Sequence, residues 1–427
     1  MGQGSVMTSF PVPCSARKPS KFQVRPVLVL AVLVLATLAP ARAQGQTMKL
    51  LTPTTGWVSN NGHLYWTADS GSNWTDITPI PPNAHVRGVG LRGIFFLNTQ
   101  EGWAVISYPE TVVPLTPQAL RTRKDVFGIA QTVDGGQIWS FLPLTYPQLP
   151  QWEEALGAPD DMFFLDSLHG WMVMAMTGSS NFAPGKLLAT DDGGRNWKWV
   201  NGPGTIGTLL FTSTQDGWLA GGPGGLRLYA THDGCKTWQQ INLTPPTQIH
   251  TSPQAVYEGP PLFVDAQHAY VAARYQGLGG APSRLVVFAT ADAGKTWKPA
   301  KVLDDVWKGG ILDVALADSI LIVPSSSSMK AIHVATVHLK GDLTSSVVVS
   351  GKGLYGLTFA DAAHGLALAE SGLLYTSDGG ATWKNVTPWH IFRPSPSRTV
   401  PAVKHPQAQR EATHPETSIS VSPLAPG

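Results

Sequence analysis

The chain repeats one eight-residue pattern six times: Thr, a variable residue, Asp, two mostly small residues, two variable residues and Trp. These octets span Thr67–Trp74, Thr132–Trp139, Thr190–Trp197, Thr231–Trp238, Thr290–Trp297 and Thr376–Trp383. Five of them have glycine at the fifth position, and the fourth has Cys235 there. Six copies of a pattern fixed at so many positions exclude chance. The sequence therefore predicts a tandem repeat.

Each octet has the composition of a β-hairpin turn. An apolar, strand-like run precedes it, as in Leu285–Ala289, and a second extended run begins at its Trp, as in Trp197–Val200. The glycine can take a positive φ, and the Asp can accept hydrogen bonds from amides of the turn. The Trp supplies a large ring for burial. We expect a structural role for these side chains: Asp69, Trp74, Asp134, Trp139, Asp192, Trp197, Asp233, Trp238, Asp292, Trp297, Asp378 and Trp383.

A second repeat precedes most octets. An apolar residue is followed six positions later by Gly-Trp or a variant, as in Phe96 with Gly102-Trp103 and Phe164 with Gly170-Trp171. This pattern indicates another hairpin, and two hairpins per repeat make a four-stranded antiparallel unit. Tandem units of this kind are typical of a β-propeller. The sequence therefore predicts an all-β fold.

Seven blades are predicted, over 46–80, 85–143, 158–201, 205–243, 253–302, 305–350 and 352–388. The blade over 305–350 lacks an octet, and is placed there because 86 residues separate Asp292 from Asp378. Six or eight blades remain as alternatives, and the way in which the ring closes is open. We expect one propeller domain over 46–388, acting as a monomer.

The two ends of the sequence differ in composition from the repeats. Residues 1–43 have basic residues, an apolar run over Val27–Ala39 and the tripeptide Ala41-Arg42-Ala43, which is typical of a cleaved signal peptide. The predicted location is periplasmic or extracellular. The alternative is an uncleaved segment that anchors the chain in a membrane. Residues 389–427 are rich in proline and poor in apolar residues, so we expect a disordered tail.

Charge and cysteine content bound the function. The chain has 30 basic and 28 acidic residues; residues 1–43 contain five of the basic residues and none of the acidic ones, so the rest carries a formal charge of −3. This balance does not favour a nucleic-acid partner. Only Cys235 remains after residue 43, which excludes an intramolecular disulfide in the exported chain. No metal-ligand spacing and no cofactor motif stands out.

The Gly-Trp and octet patterns together resemble the BNR or Asp-box repeat. The chain is similar to the propellers of photosystem II assembly and stability factors and their exported relatives, over 46–388. That resemblance implies a propeller that binds a protein during assembly. Sialidases and xyloglucan-degrading endoglucanases carry similar boxes, so the resemblance alone does not determine the function.

The longest and most variable connections fall at one end of the predicted blades, opposite the octets. Variable loops on a constant scaffold usually carry the binding site. We therefore predict a binding face there, for a protein partner or a glycan. Its candidate residues are Arg92, Tyr108, Arg121, Arg123, Trp152, Tyr257, Arg274 and Tyr275.

The function expected from the sequence is a non-catalytic exported binding scaffold. The alternative is a carbohydrate-active propeller, either a glycoside hydrolase or a glycan-binding module. A sialidase-like site needs three converging arginines, and other glycosidases need a pair of carboxylates. The Arg-Ile-Pro signature of sialidases is missing, and no residue is predicted to be catalytic.

Overall fold

The computed structural model describes residues 47–60, 62–82, 89–109, 125–144, 156–176, 183–257, 259–303, 315–317, 320–328, 331–338, 343–350, 354–361, 363–369 and 372–387. The chain divides into two compact units, Met1–Ala41 and Arg42–Gly427, and all described residues lie in the second. The predicted signal peptide and tail lie outside the described residues.

The described chain forms antiparallel sheets that follow one another along the sequence. Sheet I contains β1 (Thr47–Leu50), β2 (Gly56–Asn60), β3 (His63–Thr67) and β4 (Thr75–Asp76). Sheet II contains β5 (Gly90–Phe96), β6 (Gly102–Pro109), β7 (Asp125–Thr132) and β8 (Ser140–Pro143). Sheet III contains β9 (Leu156–Phe164), β10 (Gly170–Met176), β11 (Gly185–Thr190) and β12 (Lys198–Val200). Sheet IV contains β13 (Gly207–Phe211), β14 (Gly217–Gly221), β15 (Arg227–Thr231) and β16 (Gln239–Gln240).

The later sheets continue in the same order. Sheet V contains β17 (Thr251–Tyr257), β18 (Leu262–Phe263), β19 (Ala269–Gly277), β20 (Arg284–Thr290) and β21 (Lys298–Leu303). Sheet VI contains β22 (Ala315–Ala317), β23 (Ile320–Ser328), β24 (Ala331–His338) and β25 (Leu343–Ser350). Sheet VII contains β26 (Leu354–Phe359), β27 (Gly365–Ala369), β28 (Gly372–Thr376) and β29 (Lys384–Asn385). Together the sheets form a β-propeller.

The prediction of seven four-stranded blades is wrong, because six sheets have four strands and sheet V has five. Its first strand is broken: β17 and β18 both pair with β19, and residues 258–261 lie between them. Pro260 and Pro261 fall in this break. Proline has no N–H to donate to a sheet ladder, so it interrupts the pairing. The structure therefore contains six blades of the predicted construction.

Buried side chains lie between neighbouring sheets and form separate clusters around the ring. Between sheets II and III, for example, Trp103, Met172 and Trp197 are buried in one cluster. Sheet I also packs on sheet VII: the Leu50 amide donates to Thr358 Oγ1 at 3.5 Å, and Tyr375 Oη donates to the Pro53 carbonyl at 2.8 Å. The first and last sheets therefore meet, which answers how the ring closes.

The Gly-Trp repeat joins sheets II, III and IV to one another. The Phe164 ring, at the end of the first strand of sheet III, lies over Gly170 of the adjacent strand. Trp103 of sheet II stacks on the other side of this ring, with centroids 3.9 Å apart and an interplanar angle of 7°. Trp171 stacks on Phe211 of sheet IV in the same way, at 3.7 Å and 5°. The spacing from the aromatic residue to Gly-Trp thus encodes a contact within one sheet and a contact to its neighbour.

We predict that Gly170→Ala destabilises the propeller, because the added methyl group would lie 2.5 Å from a ring carbon of Phe164. The ring cannot move away since Trp103 stacks on it. Overpacking of this kind costs about 1–3 kcal/mol of the free energy of unfolding, measurable by urea denaturation. Gly93→Ala is the matched control, because its methyl group would meet Val105 at an ordinary 3.7 Å. Equal stability of both variants would contradict the prediction.

Candidate functional site

The octets and the short turns between first and second strands lie at the same end of the sheets. The amide of Gly193 in the third octet donates to the carbonyl of Leu168 at 2.9 Å. The same octet position bonds to the corresponding turn in the other five sheets that carry an octet: Ser70 to Thr54, Gly135 to Gln100, Gly234 to Gln215, Ala293 to Gln267 and Gly379 to Ala363. We call this the octet end, and the opposite end the loop end.

Hydrogen bonds inside each octet occupy its polar groups. In the last octet, Thr376 Oγ1 donates to Asp378 Oδ1 at 2.8 Å and accepts from the Gly380 amide at 2.9 Å. Asp378 also accepts from the Thr382 amide at 2.8 Å and from the Thr382 hydroxyl at 2.6 Å. The backbone bonds recur in all six octets. The octets therefore direct their donors and acceptors into their own turns.

These bonds favour the ionised carboxylate. Hydrogen bonds from the Thr382 hydroxyl and amide, and then from Thr376, lower the pKa of Asp378 to about 2. The corresponding bonds lower the pKa of Asp233 and of Asp292 to about 2. The pKa is also lowered for Asp69, Asp76, Asp134, Asp166, Asp191, Asp192, Asp216, Asp265 and Asp361. A general acid for glycoside cleavage needs a raised pKa, so these aspartates do not suit that role.

The first strands lie nearest the propeller axis, since β5 contacts β9 and β9 contacts β13. Three of them contain a β-bulge at the same place, four residues before the phenylalanine that ends the strand. The extra residues are Arg92, Asp160 and Tyr355. Arg92 and Asp160 are exposed in neighbouring sheets. Bulges re-aim side chains and are common beside functional sites. Arg92 was predicted to be a binding residue, but the bulge that presents it was not predicted.

The described carboxylates and arginines of sheets IV and V lie at opposite ends. The described carboxylates of residues 205–303 are Asp216, Asp233, Asp265 and Asp292, and all lie in turns at the octet end, together with Lys236 and Lys295. Arg227 begins β15 and Arg284 begins β20, the strands that lead into octets, and Arg274 lies near the far end of β19, so all three lie toward the loop end. We call these three residues the arginine sector. A sector of one sign attracts an oppositely charged partner.

Sequence reasoning missed Arg227 and Arg284. The available signal was their position at the start of the strand that leads into an octet, which places them at the loop end. Arg274 was predicted as a binding residue, and it is half-buried in β19 opposite Val256 and Leu285.

Tyr257 and Tyr275 are core residues, so the prediction that they line a binding surface is corrected. They are 8% and 0% exposed. Tyr257 Oη donates to the Ile241 carbonyl, and Tyr275 Oη donates to the Leu243 carbonyl, each at 2.9 Å. Burial raises the pKa of both phenols, although the Leu243 amide and Arg227 lower that of Tyr257 in part. The two phenols therefore fix the segment Ile241–Leu243, which leads from sheet IV to sheet V, by hydrogen bonds to its carbonyls.

The remaining candidates lie in sheet II or outside the described residues. Arg92 Nε donates to Ser107 Oγ at 3.1 Å, and Tyr108 is half-buried beside Gly128. Both lie toward the loop end. Arg121, Arg123 and Trp152 lie outside the described residues, so their predicted roles stay predictions.

Neither a metal-binding cluster nor a membrane-spanning helix occurs in the described ranges. No group of three or more His, Cys, Asp or Glu side chains there could hold a metal ion. In the same part of the chain, no helix has the length and apolar character needed to cross a membrane.

We predict that Ile138→Thr stabilises the second octet. In five octets, the side chain at this position donates to the second carboxylate oxygen of the Asp, as Thr296 does to Asp292 at 2.6 Å. Ile138 cannot donate and is 71% exposed. A threonine hydroxyl there would add a hydrogen bond to Asp134, raising the free energy of unfolding by about 0.5–1 kcal/mol in urea denaturation. Thr296→Val should lower it, and two changes of the same sign would contradict the explanation.

We also predict a loss of stability in acid. Asp233, Asp292 and Asp378 have folded pKa values of about 2, against about 3.9 in an unfolded chain. Their contribution is therefore complete above about pH 4 and disappears as the pH falls toward 2. The melting temperature, followed by circular dichroism, should fall across that range. Asp378→Asn should be less stable at pH 7 yet lose less between pH 4 and 2, and a parallel decline would count against the octet aspartates.

Solved β-propellers resemble this chain. A structure described as YCF48 bound to D1 peptide aligns with a TM-score of 0.50 at 19% identity, covering 79% of this chain and 94% of the other. An ancestral GH74 enzyme aligns with a TM-score of 0.49 at 11% identity, covering 80% and 46%. A Hadza microbial sialidase aligns with a TM-score of 0.37 at 15% identity, covering 77% and 74%. At 19% identity, the likeness to the YCF48 structure shows the fold alone. No protein-family model and no curated protein matches the chain.

Proposed function

We propose that the protein is a non-catalytic, exported scaffold that binds an acidic segment of a protein partner at its loop end. The separation of charge along sheets IV and V is the observation that carries this proposal. The arginine sector lies toward the loop end, whereas the described carboxylates of the same sheets are held in octet-end turns, where Lys236 and Lys295 also lie. An acidic segment would therefore meet arginines at the loop end, and four carboxylates with two lysines at the octet end.

The sector is suited to binding because its arginines begin or end strands of a packed sheet. Arg227, Arg274 and Arg284 are half-buried, so their stems are held while the strands below fix their spacing. Arginine presents a planar fork of donors that fits carboxylates. Binding groups on rigid elements lose less conformational freedom than groups on loops. The YCF48 structure, described as bound to D1 peptide, is an example of a propeller that binds a peptide.

The proposal extends to the bulge residues of the neighbouring sheets. Arg92 is exposed at the inner strand of sheet II, and Asp160 is exposed at the equivalent place in sheet III. A partner that reaches the axis from sheets IV and V would meet Asp160 before Arg92. We infer that the acidic part of the partner lies over sheets IV and V, and that any part beyond it carries a basic or neutral group at Asp160.

The test is affinity capture from an envelope extract, with captured proteins identified by mass spectrometry. We predict that Arg227→Ala with Arg284→Ala lowers capture of the specific partner at least tenfold, and that Lys236→Ala, exposed at the octet end, leaves it unchanged. Raising the salt from about 0.05 to 0.3 M should weaken wild-type capture, because screening shortens the range of the attraction.

Two controls separate binding from folding. Melting temperatures show whether each variant remains folded, and Arg227→Lys with Arg284→Lys should recover part of the capture because the charge returns. Capture that is equal for the alanine double variant and the Lys236 variant would refute the arginine sector as the binding site.

A further inference from the structure

A cleft of about 440 Å³ opens at the outer boundary between sheets IV and V. One side of the cleft is formed by the chain from Gln240, the last residue of β16, to Thr244. Trp297 and Pro299 form the other side. Leu243 and Phe288, which are 6% and 1% exposed, are the apolar part of the lining. Sites for small molecules typically enclose about 300–1,000 Å³ and combine apolar walls with a few polar groups.

The octet Trp does not bridge this boundary, as is also true of Trp74, Trp197 and Trp383, whose indoles donate within their own octets. Between sheets I and II, Trp139 Nε1 donates across to the Ile77 carbonyl at 2.7 Å. Ile241 is the equivalent of Ile77, since each lies three residues after an octet Trp. However, Tyr257 Oη occupies the Ile241 carbonyl. Trp297 Nε1 instead donates to Gly294 of its own octet at 2.9 Å, which leaves its half-buried ring as a wall of the cleft.

The polar groups of the cleft surround this ring. Gln240 Nε2 donates to Asn242 Oδ1 at 2.9 Å, so the two exposed carboxamides hold each other in place. The Lys295 ammonium and the Thr244 hydroxyl add further hydrogen-bonding groups. An indole ring offers a flat surface for the C–H face of a sugar, and paired carboxamides can bond to adjacent hydroxyls. A flat apolar wall beside ordered amides therefore suits a pyranose ring.

We propose that this cleft binds a saccharide ring, stacked on Trp297 and hydrogen-bonded by Gln240 and Asn242. The site lies at the outer edge of the propeller and uses no residue of the arginine sector. It is thus a second binding site, and its test is independent of the protein partner proposed above.

Saturation-transfer NMR on the full chain tests the proposal with four probes: cellobiose, lactose, N,N′-diacetylchitobiose and digalacturonic acid. We expect transfer to at least one of them, with a Kd in the millimolar range, and a matching change in tryptophan fluorescence. Gln240→Ala with Asn242→Ala should weaken binding at least tenfold. Gln239→Ala, an exposed neighbour in β16 that does not line the cleft, should bind like the wild type.

All three substituted residues are exposed, and melting temperatures would check that the variants remain folded. The absence of transfer from all four sugars would overturn the proposal. Equal affinity of the wild type and the carboxamide double variant would also overturn it, since the sugar would then bind elsewhere.

Discussion

The aromatic contact between neighbouring sheets is the interaction on which the propeller depends. A single four-stranded sheet has two apolar faces and cannot bury either alone. In sheet III, Phe164 buries part of this apolar surface. Its ring covers Gly170 within the sheet and stacks on Trp103 of sheet II. The ring fits only because glycine lacks a side chain at the contact. In sheets II to IV the motif therefore specifies the packing of one sheet and the position of the next. The ring closes where Leu50 meets Thr358.

The octets complete this arrangement at one end and leave the other end free to vary. Their threonine and aspartate side chains bond to amides of their own turn, and the turn amide bonds to the adjacent short turn. Few polar groups of the octets remain for a ligand, and the lowered pKa of residues such as Asp378 keeps them ionised. The described carboxylates of sheets IV and V are thus used in architecture, and the arginines lie at the opposite end. The charge separation follows from where the fold needs its aspartates.

The sequence predicted much of this fold, since its signals are local. Octet spacing located the hairpins, and the Gly-Trp spacing located the strands before them. The break in sheet V was not predicted, because Pro260-Pro261 is also compatible with a link between blades. The bulge at Arg92 depends on how β5 pairs with β6. A local sequence pattern does not indicate that pairing. The candidate site was predicted only in part: Tyr257 was assigned to the surface because aromatic residues near long connections occur in binding sites, but its burial depends on packing between sheets IV and V.

The break in sheet V and the burial of Tyr257 both occur at the boundary between sheets IV and V. The broken first strand of sheet V ends its first part at Tyr257, whose hydroxyl reaches the Ile241 carbonyl. That bond takes the acceptor equivalent to the one that Trp139 uses between sheets I and II, and Trp297 donates within its own octet, as Trp74, Trp197 and Trp383 do. At the loop end, Arg227 lies near enough to Tyr257 to lower the pKa of its phenol in part. The Tyr257 phenol thus connects Arg227 with Ile241, which lines the outer cleft. Both proposed binding sites use residues of sheets IV and V, and among the described sheets it is sheet V that departs from the four-stranded construction.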